Sequence, residues 1–153
     1  MSDVEYIIET TDLSKSYGPH LALENLNLKI RKGATGLLGP NGAGKSTFLK
    51  TILGLIQATS GHGTVLGHDI RTEGAAIRSR IGYMPEYDAL NPDMEAIHQV
   101  KYSGELLGMN PIVAMSRAHA VLQYVGLGEQ RYRNMGSFST GMKQATKLAC
   151  SII

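Results

Sequence analysis

Apolar and polar side chains alternate along the first part of the chain, which is the pattern of half-buried β-strands. In residues 21–30 (LALENLNLKI) the leucines and Ile30 fall mostly on one side of an extended backbone, which predicts an antiparallel strand with one face in the core. Residues 4–12 (VEYIIETTD) are rich in β-branched and aromatic side chains and predict another strand. We therefore expect β structure in this part of the chain.

Shorter apolar runs farther along predict further strands, separated by helical stretches. Residues 34–38 should form a short strand buried on both faces, and residues 64–66 and 81–84 two more. Apolar residues spaced three and four apart predict a helix over residues 48–56, and a weaker helical pattern covers residues 74–80. Strands and helices thus alternate, as they do in α/β proteins.

The pattern becomes helical after Pro85. Asn91-Pro92-Asp93 and Asn110-Pro111 each offer a helix N-cap followed by proline, and Gly126 offers a C-terminal stop. Residues 93 to about 134 are therefore predicted to form a helical insert on an α/β core.

Composition narrows the functional classes. Fifteen basic and 13 acidic residues give a net charge of +2, an excess too small to indicate a nucleic-acid-binding surface. The single cysteine, Cys150, cannot form an intrachain disulfide, and a reducing compartment fits. The first residues lack the basic and apolar segments of a signal peptide, and no apolar run approaches the roughly 18 residues that a membrane span needs. We therefore expect a globular protein that does not itself cross a membrane.

Residues 39–46 (GPNGAGKS) follow the pattern G-x-x-x-x-G-K-[ST], which is typical of a phosphate-binding loop. Gly42 and Gly44 allow backbone angles that other residues resist, so successive N–H groups can point into one concavity at the start of a helix. Lys45 adds a full positive charge for the β- and γ-phosphates, and the Ser46 hydroxyl can complete a Mg²⁺ shell. The predicted nucleotide-binding residues are Gly39, Pro40, Asn41, Gly42, Ala43, Gly44, Lys45, Ser46 and Thr47.

The chain resembles the nucleotide-binding domain of an ATP-binding cassette (ABC) transporter, and this loop is the first of the motifs that carry the likeness. Tyr17, in the run Ser16-Tyr17-Gly18, matches the family's A-loop aromatic residue, whose ring stacks on adenine. Residues 81–86 (IGYMPE) are similar to the strand that leads to the family's Q-loop. There Glu86 stands in place of glutamine, and the resemblance implies a catalytic position that binds Mg²⁺ or the attacking water.

Residues 138–144 (FSTGMKQ) resemble the family's signature motif. Ser139 is a natural N-cap for a helix over residues 142–153, and a helix N-terminus with a serine and a glycine makes a second anion-binding surface. In the family this surface faces the γ-phosphate held by the other subunit. The resemblance therefore implies that Ser139 and Gly141 contribute to catalysis in trans.

The family places a metal-positioning Asp and a water-polarising carboxylate after the signature helix, on an apolar strand. No segment after Lys45 offers four apolar residues followed by Asp. We therefore expect a truncated ABC ATPase, which binds ATP and hydrolyses it poorly because the attacking water has no carboxylate to polarise it. Loss of that strand would also leave an apolar sheet edge exposed.

The implied fold is an α/β P-loop NTPase (RecA-like) core with an N-terminal antiparallel β subdomain and a helical insert, the C-terminal half of the core being missing. The implied domains are residues 1–92 (ATP-binding core), 93–136 (helical subdomain) and 137–153 (signature motif and the start of its helix). The implied cofactors are ATP and Mg²⁺. The implied partners are transmembrane permease subunits and a second ATP-binding domain, arranged head to tail as a homodimer or heterodimer. Such a protein would be cytoplasmic, at the inner face of the cell membrane, and would reach the membrane only through the permease.

Two other functional classes stay open. One is a nucleotide-binding or regulatory module that does not hydrolyse ATP. The other is a different P-loop protein, a GTPase or a small-molecule kinase, but the chain has no Asn-Lys-x-Asp guanine motif. A kinase would need an arginine-rich lid, for which only Arg131 and Arg133 are available, and these are expected to lie in a solvated turn.

Overall fold

The computed structural model describes residues 6–87 and 90–153. The chain divides into two compact units, one that ends at Arg80 and one that comprises Ile81–Ile153. The first unit contains the sheet and the second contains most of the helix.

A four-stranded antiparallel sheet forms the frame of the first unit. Its strands, in chain order β1 to β4, are Ile8–Tyr17, His20–Ile30, Ser60–Val65 and His68–Asp69. Their order across the sheet is β2-β1-β3-β4, so β1 is hydrogen-bonded on both edges. The strands predicted over residues 21–30 and 64–66 are confirmed. The strand predicted over residues 4–12 is found at β1, with residues 4 and 5 outside the described part of the chain.

The alternation in β2 changes sides at Asn25, and the sequence shows this as a slip in the spacing of the leucines. Asn25 has a positive φ of 41°, and the pairing shifts register there, with Leu13 opposite Leu26 and Lys15 opposite Leu23. The Asn25 amide donates to Ser14 Oγ at 2.9 Å. A bulge therefore turns Leu23 and Leu26 toward the same side of the sheet.

Two helices complete the first unit, α1 (Lys45–Ile52) and α2 (Gly74–Arg78). Both predicted helices are found, but α1 ends at Ile52, so residues 53–56 of the prediction are not helical. Phe48 and Ile52 of α1 are buried, as the spacing of apolar residues predicts. Arg78 Nη1 donates to the carbonyls of Leu53 and Gly54 at 3.2 Å each. An arginine of α2 thus satisfies carbonyls that α1 leaves unpaired at its C-terminal end.

The strands predicted over residues 34–38 and 81–84 are wrong. Both segments are irregular, and within the described residues neither pairs with a strand. Leu38, expected in the core, is 93% exposed. An apolar run becomes a strand only when a neighbour satisfies its backbone groups, and neither run has such a neighbour in the part of the chain that the structure describes.

Three helices build the second unit, α3 (Ala96–Leu106), α4 (Pro111–Tyr124) and α5 (Thr140–Ile152), with short 3₁₀ turns at Gly128–Tyr132 and Met135–Ser137. Their shared core is apolar, and its buried members are Ala96, Ile97, Val100, Ala118, Leu122, Leu127, Met135, Phe138, Ala149 and Ile153. No helix in the described ranges is both long and apolar enough to span a bilayer.

The predicted starts of α3 and α4 had different outcomes. Asn110 Oδ1 accepts from the Ile112 amide at 3.0 Å and caps α4, as predicted. The start predicted at Asn91 is wrong, because Asn91 Oδ1 accepts from the Asp93 amide at 3.1 Å within a turn and α3 begins only at Ala96. A cap-like residue followed by proline therefore fits a turn as well as a helix start.

Arg131 is buried, and its prediction as a solvated residue is wrong. Its guanidinium donates to the carbonyls of Gly128 and His119 at 2.5 and 3.1 Å and to Gln123 Oε1 at 2.8 Å. The side chain thus ties the first 3₁₀ turn to α4. Arg133 is exposed, as expected.

Candidate functional site

The loop before α1 is shaped by two glycines in the left-handed region. Gly42 has φ 85° and Gly44 has φ 83°, angles that cost other L-residues about 1–2 kcal/mol. Gly44 is the N-cap residue of α1, so the chain enters the helix directly from this conformation. Gly42 and Gly44 therefore adopt the backbone angles that the motif predicts for them.

Gly44 also places the loop against the sheet. A β-carbon at Gly44 would lie 2.4 Å from the Ala22 carbonyl oxygen and 2.9 Å from Leu23 Cδ2. No side chain fits in that space. The absence of a Cβ thus brings the start of α1 into contact with β2 and sets the position of the loop.

The first turn of α1 carries unpaired donors. Within residues 6–87 and 90–153, the amides of Lys45, Ser46 and Thr47 have no hydrogen-bond acceptor. The loop from Gly39 to Ala43 is exposed, and Ser46 is exposed as well. Free N–H groups and the positive end of the helix dipole make this turn a suitable place for an anion.

Lys45 folds back over the loop. Its Nζ donates to the carbonyls of Gly39 and Pro40 at 2.6 and 2.7 Å, and the Ala43 amide donates to Pro40 at 3.2 Å. These bonds hold the loop in a curl. An ammonium group has three donors, so one proton of Lys45 is left for an external acceptor.

Tyr17 ends β1 in the same unit, and its ring is 48% exposed. It pairs with His20, and two positions earlier Lys15 pairs with Leu23, the residue that packs on Gly44. Two strand positions correspond to roughly 7 Å. Tyr17 thus lies two strand positions from Lys15, whose partner Leu23 contacts Gly44, whereas the sequence shows only that Tyr17 precedes the loop.

Glu86 lies in the second unit. Its side chain is exposed and makes no hydrogen bond to any described residue, while its carbonyl accepts from Lys147 Nζ of α5 at 3.1 Å. A β-carbon at Gly82 would lie 2.1 Å from the Ser151 carbonyl oxygen, so this segment runs directly along α5. Its path is fixed by α5 and not by a sheet.

Ser139 and Gly141 form the exposed N-terminus of α5. Ser139 Oγ accepts from the Met142 amide at 3.3 Å, which confirms the predicted N-cap. A β-carbon at Gly141 would have a single neighbour within 4 Å, Ser139 Oγ at 3.9 Å, so the space beside this glycine is open. This helix start can therefore be approached closely by another molecule.

The predicted magnesium ligands, Ser46 and Glu86, belong to different units. Among the described residues, no three His, Cys, Asp or Glu side chains are grouped to hold a metal ion. A site at Ser46 would therefore rest on one hydroxyl, and phosphate oxygens would have to supply further ligands.

Two contacts made by lysine side chains were not predicted from the sequence. Lys15 Nζ lies 5.0 Å from the centroid of the Tyr17 ring, but the strand predicted from the sequence covered residues 4–12 and did not reach either residue. Lys147 and Glu86 are 61 residues apart, and no local pattern connects them.

Known proteins resemble this chain over nearly its whole length. The family model described as "ABC transporter" matches residues 23–153. The linearmycin resistance ATP-binding protein LnrL of Bacillus subtilis (strain 168) is 35% identical over 148 residues, 96% of this chain and 48% of the relative. The Nod factor export ATP-binding protein I of Cupriavidus pinatubonensis is 32% identical over 148 residues, 96% of this chain and 46% of the relative. The chain thus spans about half the length of the curated relatives it matches.

A solved structure, titled as the structure of the ATP binding subunit of an ABC transporter, is similar in fold. It superposes with a TM-score of 0.77 at 27% identity, over 95% of this chain and 61% of that one.

Proposed function

The chain belongs to the ABC transporter family, and from that premise we propose that it is the nucleotide-binding part of an ATP-binding subunit that drives export. The observation that carries the proposal is the start of α1, where unpaired amides and the Lys45 ammonium meet at an exposed, glycine-shaped loop. The direction of transport rests on the relatives, which are named for resistance and for export.

ATP would be held at both ends. The amides of the loop and of the first turn of α1 bind the phosphates, and Lys45 turns its free proton toward them. Tyr17 offers an exposed ring face on which a purine base can stack. The loop residues Gly39 to Thr47 and Tyr17 thus form one binding surface.

Mg²⁺ fits this surface as part of the nucleotide complex. The Ser46 hydroxyl is exposed in the first turn of α1 and is a hard oxygen ligand of the kind that Mg²⁺ prefers. Bound Mg²⁺ would neutralise charge on the phosphate oxygens. Glu86 is proposed as a second ligand.

Binding is tested by titrating a fluorescent ATP analogue with Mg²⁺ into the unsubstituted protein and into Lys45→Ala. We expect at least tenfold weaker binding, because the substitution removes the only ammonium directed at the loop among the described residues. Lys50→Ala is the matched control, since Lys50 is an exposed lysine in the last turn of the same helix and should leave the affinity unchanged. Equal affinities for the unsubstituted protein and Lys45→Ala would contradict the proposal.

Ser139 and Gly141 are proposed to complete the site in trans. The open, capped N-terminus of α5 offers the second helix dipole that a γ-phosphate needs when two subunits enclose ATP head to tail. Sedimentation with and without Mg-ATP tests this, and ATP-dependent association should be lost in Gly141→Asp, which places a negative charge at this surface. Association that persists in Gly141→Asp would refute the role.

The helical insert and the loop that contains Glu86 are proposed to meet the transmembrane permease at the inner face of the membrane. The Lys147–Glu86 hydrogen bond and the close approach of Gly82 to Ser151 join this segment to the signature helix. Movement imposed on one would thus be passed to the other. The test is ATP-driven transport in cells that express the permease together with the Gly82→Val variant of this chain. Loss of transport would support the proposed coupling, and unchanged transport would oppose it.

A module that binds ATP without hydrolysis is the second candidate. The exposed, glycine-shaped loop at the start of α1 supports binding of ATP in this case as well. A steady-state phosphate-release assay separates the two functions. We expect these 153 residues to bind ATP and to release phosphate very slowly, and turnover that Lys45→Ala abolishes would instead show a complete ATPase.

A further inference from the structure

Lys15 and Tyr17 form a pair on one face of β1. Residues two apart in a strand point the same way, and Lys15 Nζ lies 5.0 Å from the Tyr17 ring centroid. Lys15 is half-buried whereas Tyr17 is 48% exposed. The ammonium therefore covers one face of the ring.

Lys15 has no competing anionic partner in the described part of the chain, where no carboxylate lies within ion-pair distance of its ammonium. The ring is its recorded partner. This differs from Lys29, which also lies over a tyrosine ring, that of Tyr6 at 5.1 Å, but pairs with Glu9 at 3.3 Å. The charge of Lys15 is thus directed at the ring.

The backbone of Lys15 links the ring to the phosphate loop. Lys15 pairs with Leu23, which is 7% exposed and packs against Gly44. A cation anchored on this strand pair fixes the ring relative to the start of α1. It also withdraws electron density from the ring, which favours stacking of an electron-rich purine on the opposite face.

We propose that Lys15 is a positioning residue for nucleotide binding: it holds the Tyr17 ring from one face and so leaves the other face for the base. This rests on the proposed function, because it deepens the account of the same site. Lys15 acts on the base through Tyr17 and does not contact the phosphates.

The experiment is a double-mutant cycle with two probes, Mg-ATP and Mg-tripolyphosphate, measured by calorimetry. Tripolyphosphate has no base, so only ATP reports on Tyr17. The variants are Lys15→Met, which keeps the apolar stem, Tyr17→Leu, the double variant, and Lys15→Arg. Lys29→Met is the matched control, since it removes a cation from another tyrosine of the same sheet.

We expect Lys15→Met to weaken ATP binding about two- to fivefold and to leave tripolyphosphate binding unchanged. In the Tyr17→Leu background, Lys15→Met should have no further effect. Lys15→Arg should restore the affinity for ATP, and Lys29→Met should not alter it.

Three results would overturn the inference. If Lys15→Met weakens tripolyphosphate binding as much as ATP binding, Lys15 binds phosphate. If the losses in Lys15→Met and Tyr17→Leu add in the double variant, Lys15 does not act through Tyr17. If Lys15→Met leaves the ATP affinity unchanged, Lys15 has no role in binding. Failure of the unsubstituted protein to bind Mg-ATP would overturn the proposed function and this inference together. The first three results leave the proposed function standing.

Discussion

Gly44 lies so close to Ala22 that a β-carbon on Gly44 would be 2.4 Å from the Ala22 carbonyl oxygen. The residue that starts α1 is thus in direct contact with the main chain of β2. The same glycine has a φ of 83°, so both its backbone angle and its surroundings exclude a side chain. The position of the phosphate loop is therefore set by the sheet as well as by its own sequence.

Gly44→Ala should destabilise the chain more than Gly42→Ala. Both residues have φ near 84°, so both variants should lose about 1–2 kcal/mol from backbone strain. Only Gly44→Ala adds overpacking, which costs about 1–3 kcal/mol more, because the space at Gly42 is open. Urea unfolding measures the free energy of unfolding of each variant. Equal losses in Gly44→Ala and Gly42→Ala would show that the contact with Ala22 is unimportant.

Arg131→Met should lower the free energy of unfolding by about 2–3 kcal/mol, because it leaves the buried carbonyls and Gln123 Oε1 without their donor. Arg133→Met is the control, since Arg133 is exposed and its loss should cost less than about 0.5 kcal/mol. Denaturant unfolding compares the two. Similar losses in both variants would mean that burial of Arg131 carries no stability.

Asn110→Ala should cost about 1 kcal/mol, because the amide of Ile112 loses its cap at the start of α4. Asn110→Asp keeps an acceptor and places a negative charge at the helix N-terminus, so it should be at least as stable as Asn110 at neutral pH. Asn91 makes the same kind of bond outside a helix, and Asn91→Ala should cost less. Thermal unfolding of the three variants tests this order.

Asp69 should contribute stability that depends on pH. The amide of Arg71 and then the amide and hydroxyl of Thr72 donate to its carboxylate, and they hold the pKa of Asp69 below its ordinary value of 3.8. The folded state thus favours the charged form, and this stability is present above pH 3.8 and is lost as pH falls through the lowered pKa.

Asp69→Asn keeps an acceptor but cannot titrate. We expect the unsubstituted protein to be the more stable at about pH 6.5 and the difference to shrink at a pH well below 3.8, where the lowered pKa of Asp69 is passed. The neighbouring Glu73 is present in both proteins; its pKa is lowered mainly by its hydrogen bond to His68, and the charge of Asp69 makes only the smallest contribution to that pKa. Urea midpoints at the two pH values measure it, and a constant difference would contradict the assignment.

Cys150 should react slowly with alkylating reagents. Burial raises the pKa of its thiol above the ordinary value of 9.0, and the thiolate is the reactive form. At about pH 8 we expect iodoacetamide to modify the folded protein at least tenfold more slowly than the protein in urea. Similar rates in the two conditions would show an accessible thiol.

Local features of the fold were predicted because local interactions produce them. Positive φ angles at Gly42 and Gly44, the caps at Asn110 and Ser139, and the stop at Gly126 each depend on a few neighbouring residues. The same holds for the apolar side of α1. The assignment of domains and the roles of the site residues stay predictions that the proposed experiments test.

Errors arose where a feature depends on residues far along the chain. Residues 34–38 and 81–84 have the composition of strands, but a strand also needs a partner, and composition does not show whether one is present. Arg131 has the sequence context of a turn, yet the backbone carbonyls of His119 and Gly128 surround it with acceptors.

The sequence by itself determined the family of this protein, and it predicted a phosphate-binding loop because glycines, a lysine and a helix start lie in one continuous segment. The tertiary structure decided which groups stand beside that segment. It placed Ala22 against Gly44 and Lys15 over Tyr17, and in the second unit it placed Lys147 on Glu86. These contacts depend on strand register and helix packing, which follow from the free energy of the folded chain and not from any single motif.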